Sequence, residues 1–123
     1  MYEIDIEREF SAAHCLKGYK GNCSSLHGHN WTVQVIVQSE ELDELGIAVD
    51  FRKLKSELDN FLDGLDHKNL SELEYFSKSN PTSERIAKLV FDKISEKING
   101  KGISVVRVRV CESPGSGAAY YKN

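Results

Sequence analysis

From His27 to Val37 every second residue belongs to one row: His27, His29, Trp31, Val33, Val35 and Val37. Thr32, Gln34 and Gln38 fall on the other side. A period of two sustained over this length is the pattern of a β-strand with one face in a core. The chain must therefore build a sheet and cover one side of it. The row is apolar at one end and carries two imidazoles at the other, so the face that begins as core ends as something with chemistry.

The flanking segments complete the pattern. Residues 2–10 alternate as well, with Tyr2, Ile4, Ile6 and Phe10 opposite Glu3, Asp5, Glu7 and Glu9. Residues 11–26, rich in Gly, Ser and Lys, read as a loop. Phe51, Leu54, Leu58, Phe61 and Leu62 change the period to that of an amphipathic helix over 51–62, with Asp50 as its N-cap. Residues 63–80 are irregular. Asn80-Pro81 reads as a cap followed by a first-turn proline. Ile86, Val90, Ile94 and Ile98 then mark a second helix that Asn99-Gly100 ends. Residues 103–112 return to alternation, with Val106, Val108 and Val110 opposite Arg107 and Arg109. A short strand, AAYY, follows Pro114-Gly115-Ser116-Gly117. The order ββααββ predicts an α+β domain, an antiparallel four-stranded sheet with two helices on one face. Four strands do not close a barrel, so two edges stay open. Pairing of those edges between subunits predicts a cyclic oligomer.

The 123 residues suit one domain, 1–123, with a core that needs no disulfide. Sixteen basic and nineteen acidic residues give a formal charge of −3, which argues against nucleic acid as a partner. No apolar run is long enough to span a membrane. MYEIDIEREF lacks the basic and apolar regions of a signal peptide. The odd cysteine set, Cys15, Cys23 and Cys111, then predicts reduced thiols in a cytoplasmic protein.

His27 and His29 stand two apart on a strand, so they face the same way with Cα atoms about 6.6 Å apart. Two imidazoles on one zinc need nitrogens about 3.3 Å apart, a gap that leaning side chains close. By itself His-Gly-His is equally compatible with a polar surface turn. His14 changes the balance. If the first two strands are antiparallel neighbours, the end of one lies beside the start of the other, and His14 meets the pair. Cys15 is the alternative third ligand, but adjacent strand residues face opposite ways, which favours His14. Three imidazoles with an open fourth position is the donor set of a catalytic zinc.

Cys23 lies four residues before His27, close to such a metal without being required as a ligand. As a thiolate it needs a base, which His67 can supply with Asp66 as an orienting carboxylate. A buried loop cysteine and a turn histidine are the plainer readings of these residues. Glu112 extends the row Val106, Val108, Val110, which predicts a buried carboxylate able to accept two hydrogen bonds from a guanidine-like edge. An exposed residue beyond the strand end is the plainer reading. Lys17 and Lys20 could meet phosphates, though solvated loop lysines are the default.

Six segments in order, FSAAHCL, CSSLHGHNW, GIAVDFRKLK, LDHKNL, NPTSERIAKLV and VCESPGSGAAYY, resemble the 6-pyruvoyltetrahydropterin synthase family nearly end to end. That family includes the 6-carboxy-5,6,7,8-tetrahydropterin synthases of queuosine and 7-deazaguanine biosynthesis. The resemblance implies the tunnelling fold, whose subunits join their sheets into a barrel as trimers or hexamers. It implies Zn2+ on His14, His27 and His29, and Cys23 as the catalytic thiol. Asp66 and His67 would activate that thiol from a neighbouring subunit. Glu112 would anchor a pterin ring, with Thr82 and Ser83 at further contact positions. The implied substrate is 7,8-dihydroneopterin triphosphate. The spacing of Cys23 to His27-Gly28-His29 resembles the carboxytetrahydropterin branch, with acetaldehyde and triphosphate as co-products. The alternatives are the pyruvoyl branch, which eliminates triphosphate without C–C cleavage, and a non-catalytic zinc-containing pterin binder.

Overall fold

A computed structural model describes residues 1–19 and 25–122. The elements are β1 (Tyr2–His14), β2 (His27–Ser39), α1 (Phe51–Leu62), β3 (Lys68–Asn69), α2 (Ser83–Ile98), β4 (Ile103–Ser113) and β5 (Ser116–Tyr121). Two single 3₁₀ turns, Leu70–Glu72 and Glu74–Phe76, fill the span between β3 and α2. The sheet order is β3-β1-β2-β4-β5. The class is the expected α+β, and both helices cover one face.

The core is the product of the period-two rows. Ile6, Phe10, Trp31, Val33, Val35, Val37, Val108 and Val110 are all buried on that face. Phe10 and Trp31 are cross-strand partners whose rings stack with centroids 5.9 Å apart. Trp31 donates its indole N–H to the Ala12 carbonyl at 3.1 Å, which satisfies the one polar group it buries. Helix α1 closes this layer with Leu54, Leu58 and Leu62, and α2 with Ile86, Ala87, Val90, Phe91, Ile94 and Ile98. Each of these leucine, isoleucine, valine and phenylalanine side chains removed from water contributes about 1.5–3 kcal/mol. Phe51 departs from the sequence pattern. It stands at the first position of α1, beyond the covered stretch, and is 52% exposed. Among the described residues no helix is long and apolar enough to cross a membrane.

Five local details differ from the sequence reading. Strand β1 runs to His14 rather than ending at Phe10, because Ser11–His14 keep pairing with β2 up to His14 opposite His27. Long-range pairing here overrides the weak strand preference of Ser-Ala-Ala-His. The sheet has a fifth strand, β3, two residues long and parallel to β1 at Ala12 and Ala13. It is too short to leave a periodicity. Helix α2 is capped by Thr82, whose hydroxyl accepts from the Arg85 N–H at 3.2 Å. Asn80 cannot serve because both ends of its amide bind the backbone of Lys17. On β4 the register slips between Ile36 and Val37, where Arg107 and Val105 are the successive partners and Val106 is passed over. This bulge puts Val105 in the core, 4% exposed, and turns Val106 out of the valine row. A second bulge falls at Glu112, between the Cys111–Gly117 and Ser113–Ser116 pairs of the β4–β5 hairpin.

Candidate metal centre and active-site cleft

The antiparallel register brings three histidines to one end of the core face. His14 lies opposite His27, and His29 opposite Ala12. Side chains of the same face at neighbouring positions of a sheet meet. One nitrogen from each of His14, His27 and His29 can be chosen so that all lie within 4.8 Å of one another. The His14 and His27 Nε2 atoms are 3.1 Å apart. The three rings stand edge-on, with centroids 4.6, 5.2 and 4.8 Å apart. Trp31 forms the floor, its ring centroid 4.9 Å from His14 and 5.2 Å from His29. Next in the row after the imidazoles, it marks where the polar end of the face gives way to core.

The tautomers follow from the partners. His14 Nδ1 is 2.7 Å from the Pro81 carbonyl oxygen, and His27 Nδ1 is 2.6 Å from that of Ser25. A carbonyl only accepts, so both Nδ1 atoms carry the proton and both Nε2 lone pairs face the shared centre. Two lone pairs 3.1 Å apart repel unless a cation sits between them. That separation is close to the roughly 3.3 Å that a tetrahedral zinc sets between two imidazole nitrogens. His29 Nε2 is buried without a hydrogen-bond partner among the described residues. Such an orphan calls for an explanation, and a bound cation supplies one. Burial also lowers the His14 pKa, with the neighbouring imidazoles adding to the effect against the Pro81 hydrogen bond and the Glu112 charge. The neutral, ligating form is thus favoured. The residues present fit a divalent zinc-like ion on all these counts.

Glu112 borders the same centre. Its Oε2 is 3.7 Å from His29 Nε2 and 4.0 Å from His14 Nε2. Glu112 keeps the parity of Val108 and Val110, so its carboxylate stays on the core face of the sheet and meets the histidines there. The side chain is 38% exposed, so it lines the mouth of the site and is not the buried carboxylate that an unbroken valine row implied. A cleft of about 450 Å³ opens there, lined by His14, His27, Glu112, Thr82, Ser83 and Glu84 among others. Thr82 and Ser83 reach it because the start of α2 packs against the end of β1, where the Pro81 carbonyl holds His14. The sequence offered no direct sign of that carbonyl.

Asp66 and His67 are placed elsewhere. They dock on the β1 edge opposite β2, immediately before β3 pairs with it. Asp66 Oδ1 accepts from the Ser11 N–H at 2.8 Å, and the His67 N–H donates to the Ser11 carbonyl at 2.5 Å. Chain neighbours seldom join side chain to side chain, yet His67 Nδ1 sits 2.9 Å from Asp66 Oδ2. The backbone explains it: His67 has φ +58°, a left-handed conformation seen at no other non-glycine residue among those described. The Ser11 hydrogen bond, with His67 second, lowers the Asp66 pKa and keeps it a carboxylate. The His67 ring is 81% exposed at the sheet edge and does not line the cleft of its own chain. Cys23 lies outside the described residues, as does Lys20. Cys15 faces away from the histidines, its N–H and sulfur both turned to the Ser71 hydroxyl. The metal set is therefore three histidines without a thiol among the described residues.

Comparison with known proteins agrees with this architecture. The sequence profile of the family described as 6-pyruvoyl tetrahydropterin synthase matches residues 3–123. A 6-carboxy-5,6,7,8-tetrahydropterin synthase of Synechocystis sp. is 36% identical, over 98% of this chain and 94% of its own. A dihydroneopterin monophosphate aldolase of Pyrococcus furiosus is 35% identical, over 79% of this chain and 78% of its own. The solved structure of the Caenorhabditis elegans 6-pyruvoyl tetrahydropterin synthase superposes with a TM-score of 0.84 at 30% identity, covering 100% of this chain and 98% of that one. The match therefore extends over the whole tunnelling fold, and this chain belongs to the 6-pyruvoyl tetrahydropterin synthase family of lyases.

Proposed function

We propose that the protein is a zinc-dependent 6-carboxy-5,6,7,8-tetrahydropterin synthase. It converts 7,8-dihydroneopterin triphosphate and water into 6-carboxy-5,6,7,8-tetrahydropterin, acetaldehyde and triphosphate. The observation that carries this reading is the convergence of three inward-facing imidazoles and the Glu112 carboxylate on one cleft. The Synechocystis relative supports the choice of reaction.

His14, His27 and His29 hold the metal. Zinc bound there supplies a Lewis acid beside the side-chain hydroxyls of the ligand, which acidifies the neighbouring C–H bonds. Glu112 accepts two hydrogen bonds from the aminopyrimidinone edge of the pterin, and the start of α2 at Thr82 and Ser83 flanks the ring. This orientation directs the side chain toward the histidines. Cys23 takes and returns protons at the side-chain carbons, and His67 relays them, held in register by Asp66. His67 stands on an open sheet edge, so it serves the Cys23 of a neighbouring subunit in a homo-oligomeric ring, trimer or hexamer. The thiols work reduced, in the cytoplasm.

Product analysis after incubation with 7,8-dihydroneopterin triphosphate tests the reading. Acetaldehyde together with 6-carboxytetrahydropterin is expected, and Cys23→Ala is expected to abolish turnover while zinc content and folding persist. A 6-pyruvoyl product would transfer the protein to the pyruvoyl branch. Zinc at stoichiometry with no product would make it a pterin binder.

A further inference from the structure

A second cleft, of about 380 Å³, lies on the far side of the segments that wall the metal cleft. Leu16 and Thr82–Glu84 line the metal cleft, whereas Cys15, Lys17, Pro81 and Arg85 line this one. The two hollows therefore share two strips of chain, 15–17 and 81–85, as their common wall.

The charges are sorted by sign across that wall. Among the described residues the metal cleft is lined by Glu84 and Glu112 and by no lysine or arginine. The second cleft is lined by Lys17, Lys78 and Arg85 and by no carboxylate. In a chain of net charge −3 this is a local reversal. None of the three cations forms an ion pair among the described residues. Ser71, Ser77 and Ser79 add hydroxyls to the same lining.

The wall is held in place by side chains. Asn80 Oδ1 accepts from the Lys17 N–H at 2.9 Å, and its Nδ2 donates to the Lys17 carbonyl at 2.9 Å. The Ser71 hydroxyl accepts from the Cys15 N–H at 3.0 Å and donates to the Cys15 carbonyl at 3.2 Å. These four bonds treat residues 15–17 as a strand whose partners are two side chains. They fix the backbone of Lys17 against the segment that leads into α2, which carries Arg85 in its first turn. Unpaired cations and hydroxyls around a concavity of this size suit a small ligand bearing phosphoryl oxygens.

We propose that this cleft is an anion site for phosphoryl groups. Resting on the pterin reading of the neighbouring cleft, it takes the triphosphate of the substrate held there. Among the described residues, a polyanionic tail meets two carboxylates and no lysine or arginine in the metal cleft. Among the described residues, Lys17, Lys78 and Arg85 across the 81–85 wall form a group of cations able to compensate it.

The test titrates inorganic triphosphate and inorganic phosphate by calorimetry into the wild type and two variants, Lys78→Ala/Arg85→Ala and Lys78→Gln/Arg85→Gln. Thermal melts establish that both are folded, and the Gln pair retains side-chain bulk. Triphosphate is expected to bind the wild type more tightly than phosphate, with salt-dependent affinity, and to lose about tenfold or more in both variants. The KM for 7,8-dihydroneopterin triphosphate should rise by a similar factor, with binding of unphosphorylated dihydroneopterin unchanged. Equal triphosphate affinity in all three proteins, or none in the wild type, would overturn the anion site. Lost triphosphate affinity with an unchanged KM would keep the site and overturn its assignment to the substrate tail. Absence of turnover in the wild type would overturn the proposed reaction alone, since the anion titration needs no turnover.

Discussion

His29→Phe separates a metal ligand from an ordinary core histidine by the sign of its effect. His29 Nε2 is a buried nitrogen with no hydrogen-bond partner among the described residues. Such a group costs about 1–3 kcal/mol, so an aromatic of similar shape should leave the metal-free fold unchanged or more stable. With zinc the sign reverses. A ligand that binds only the folded state at 1,000 times its dissociation constant adds about 4.1 kcal/mol. For 123 residues the unfolding entropy is about 0.26 kcal/mol/K, so wild-type Tm should rise by about 16 °C between chelated and zinc-loaded samples. His29→Phe, left with two imidazoles, should lose most of that rise. The assay is a thermal melt of both proteins in chelator and in excess zinc, with bound metal measured by mass spectrometry. A zinc-induced rise in His29→Phe equal to that of the wild type would refute the ligand assignment. So would a loss of several kcal/mol in chelator, which would mean that His29 is a satisfied core residue.

Three further perturbations follow from the geometry. Asp66 has a lowered folded pKa, so its contribution to stability is complete above about pH 3.9 and fades as pH falls through the folded value. Asp66→Asn should therefore be less stable at pH 7 and have a shallower acid limb, as urea midpoints between pH 2 and 7 would record; parallel acid limbs would contradict this. Asn80→Ala removes both bonds to Lys17 and should cost about 1–3 kcal/mol in urea melts, with faster amide exchange at Lys17; unchanged exchange there would count against the clamp. Thr82→Ala should lower Tm by about 4 °C through the lost cap, and Thr82→Ser should restore it; equal losses in the two variants would point to a role other than capping.

Much of this site can be read one face at a time. The parity of His27 and His29 with Trp31 placed both imidazoles on the core face, and that is where they lie. The i, i+4 spacing of Leu54, Leu58 and Leu62, with Asp50 before them, bounded α1 as observed. His14 could be matched to the pair only on the supposition that β1 and β2 are antiparallel neighbours, and the register meets that condition. Glu112 was visible as a carboxylate ending an apolar row, and it keeps the face of that row, but its partial exposure was not legible, because the row ends at the mouth of the site. The cation cleft was dispersed over residues 17, 78 and 85, and only packing of the α2 start against the end of β1 brings them together.

The sequence by itself determined which residues share a face wherever no bulge intervenes, since alternation and helical spacing are properties of consecutive positions. It thereby settled the two-layer core and the chemistry available at its polar end. Tertiary structure decided what meets what. The pairing of His14 with His27, the passing over of Val106, the meeting of Glu112 with the histidines and the seating of Asp66 and His67 on Ser11 all depend on strand register. Asn80 likewise gave up the cap of α2 to Thr82 because Lys17, 63 positions away in the chain, came within reach of its amide. Such choices are made by hydrogen-bond groups competing across space, and no local pattern records the outcome.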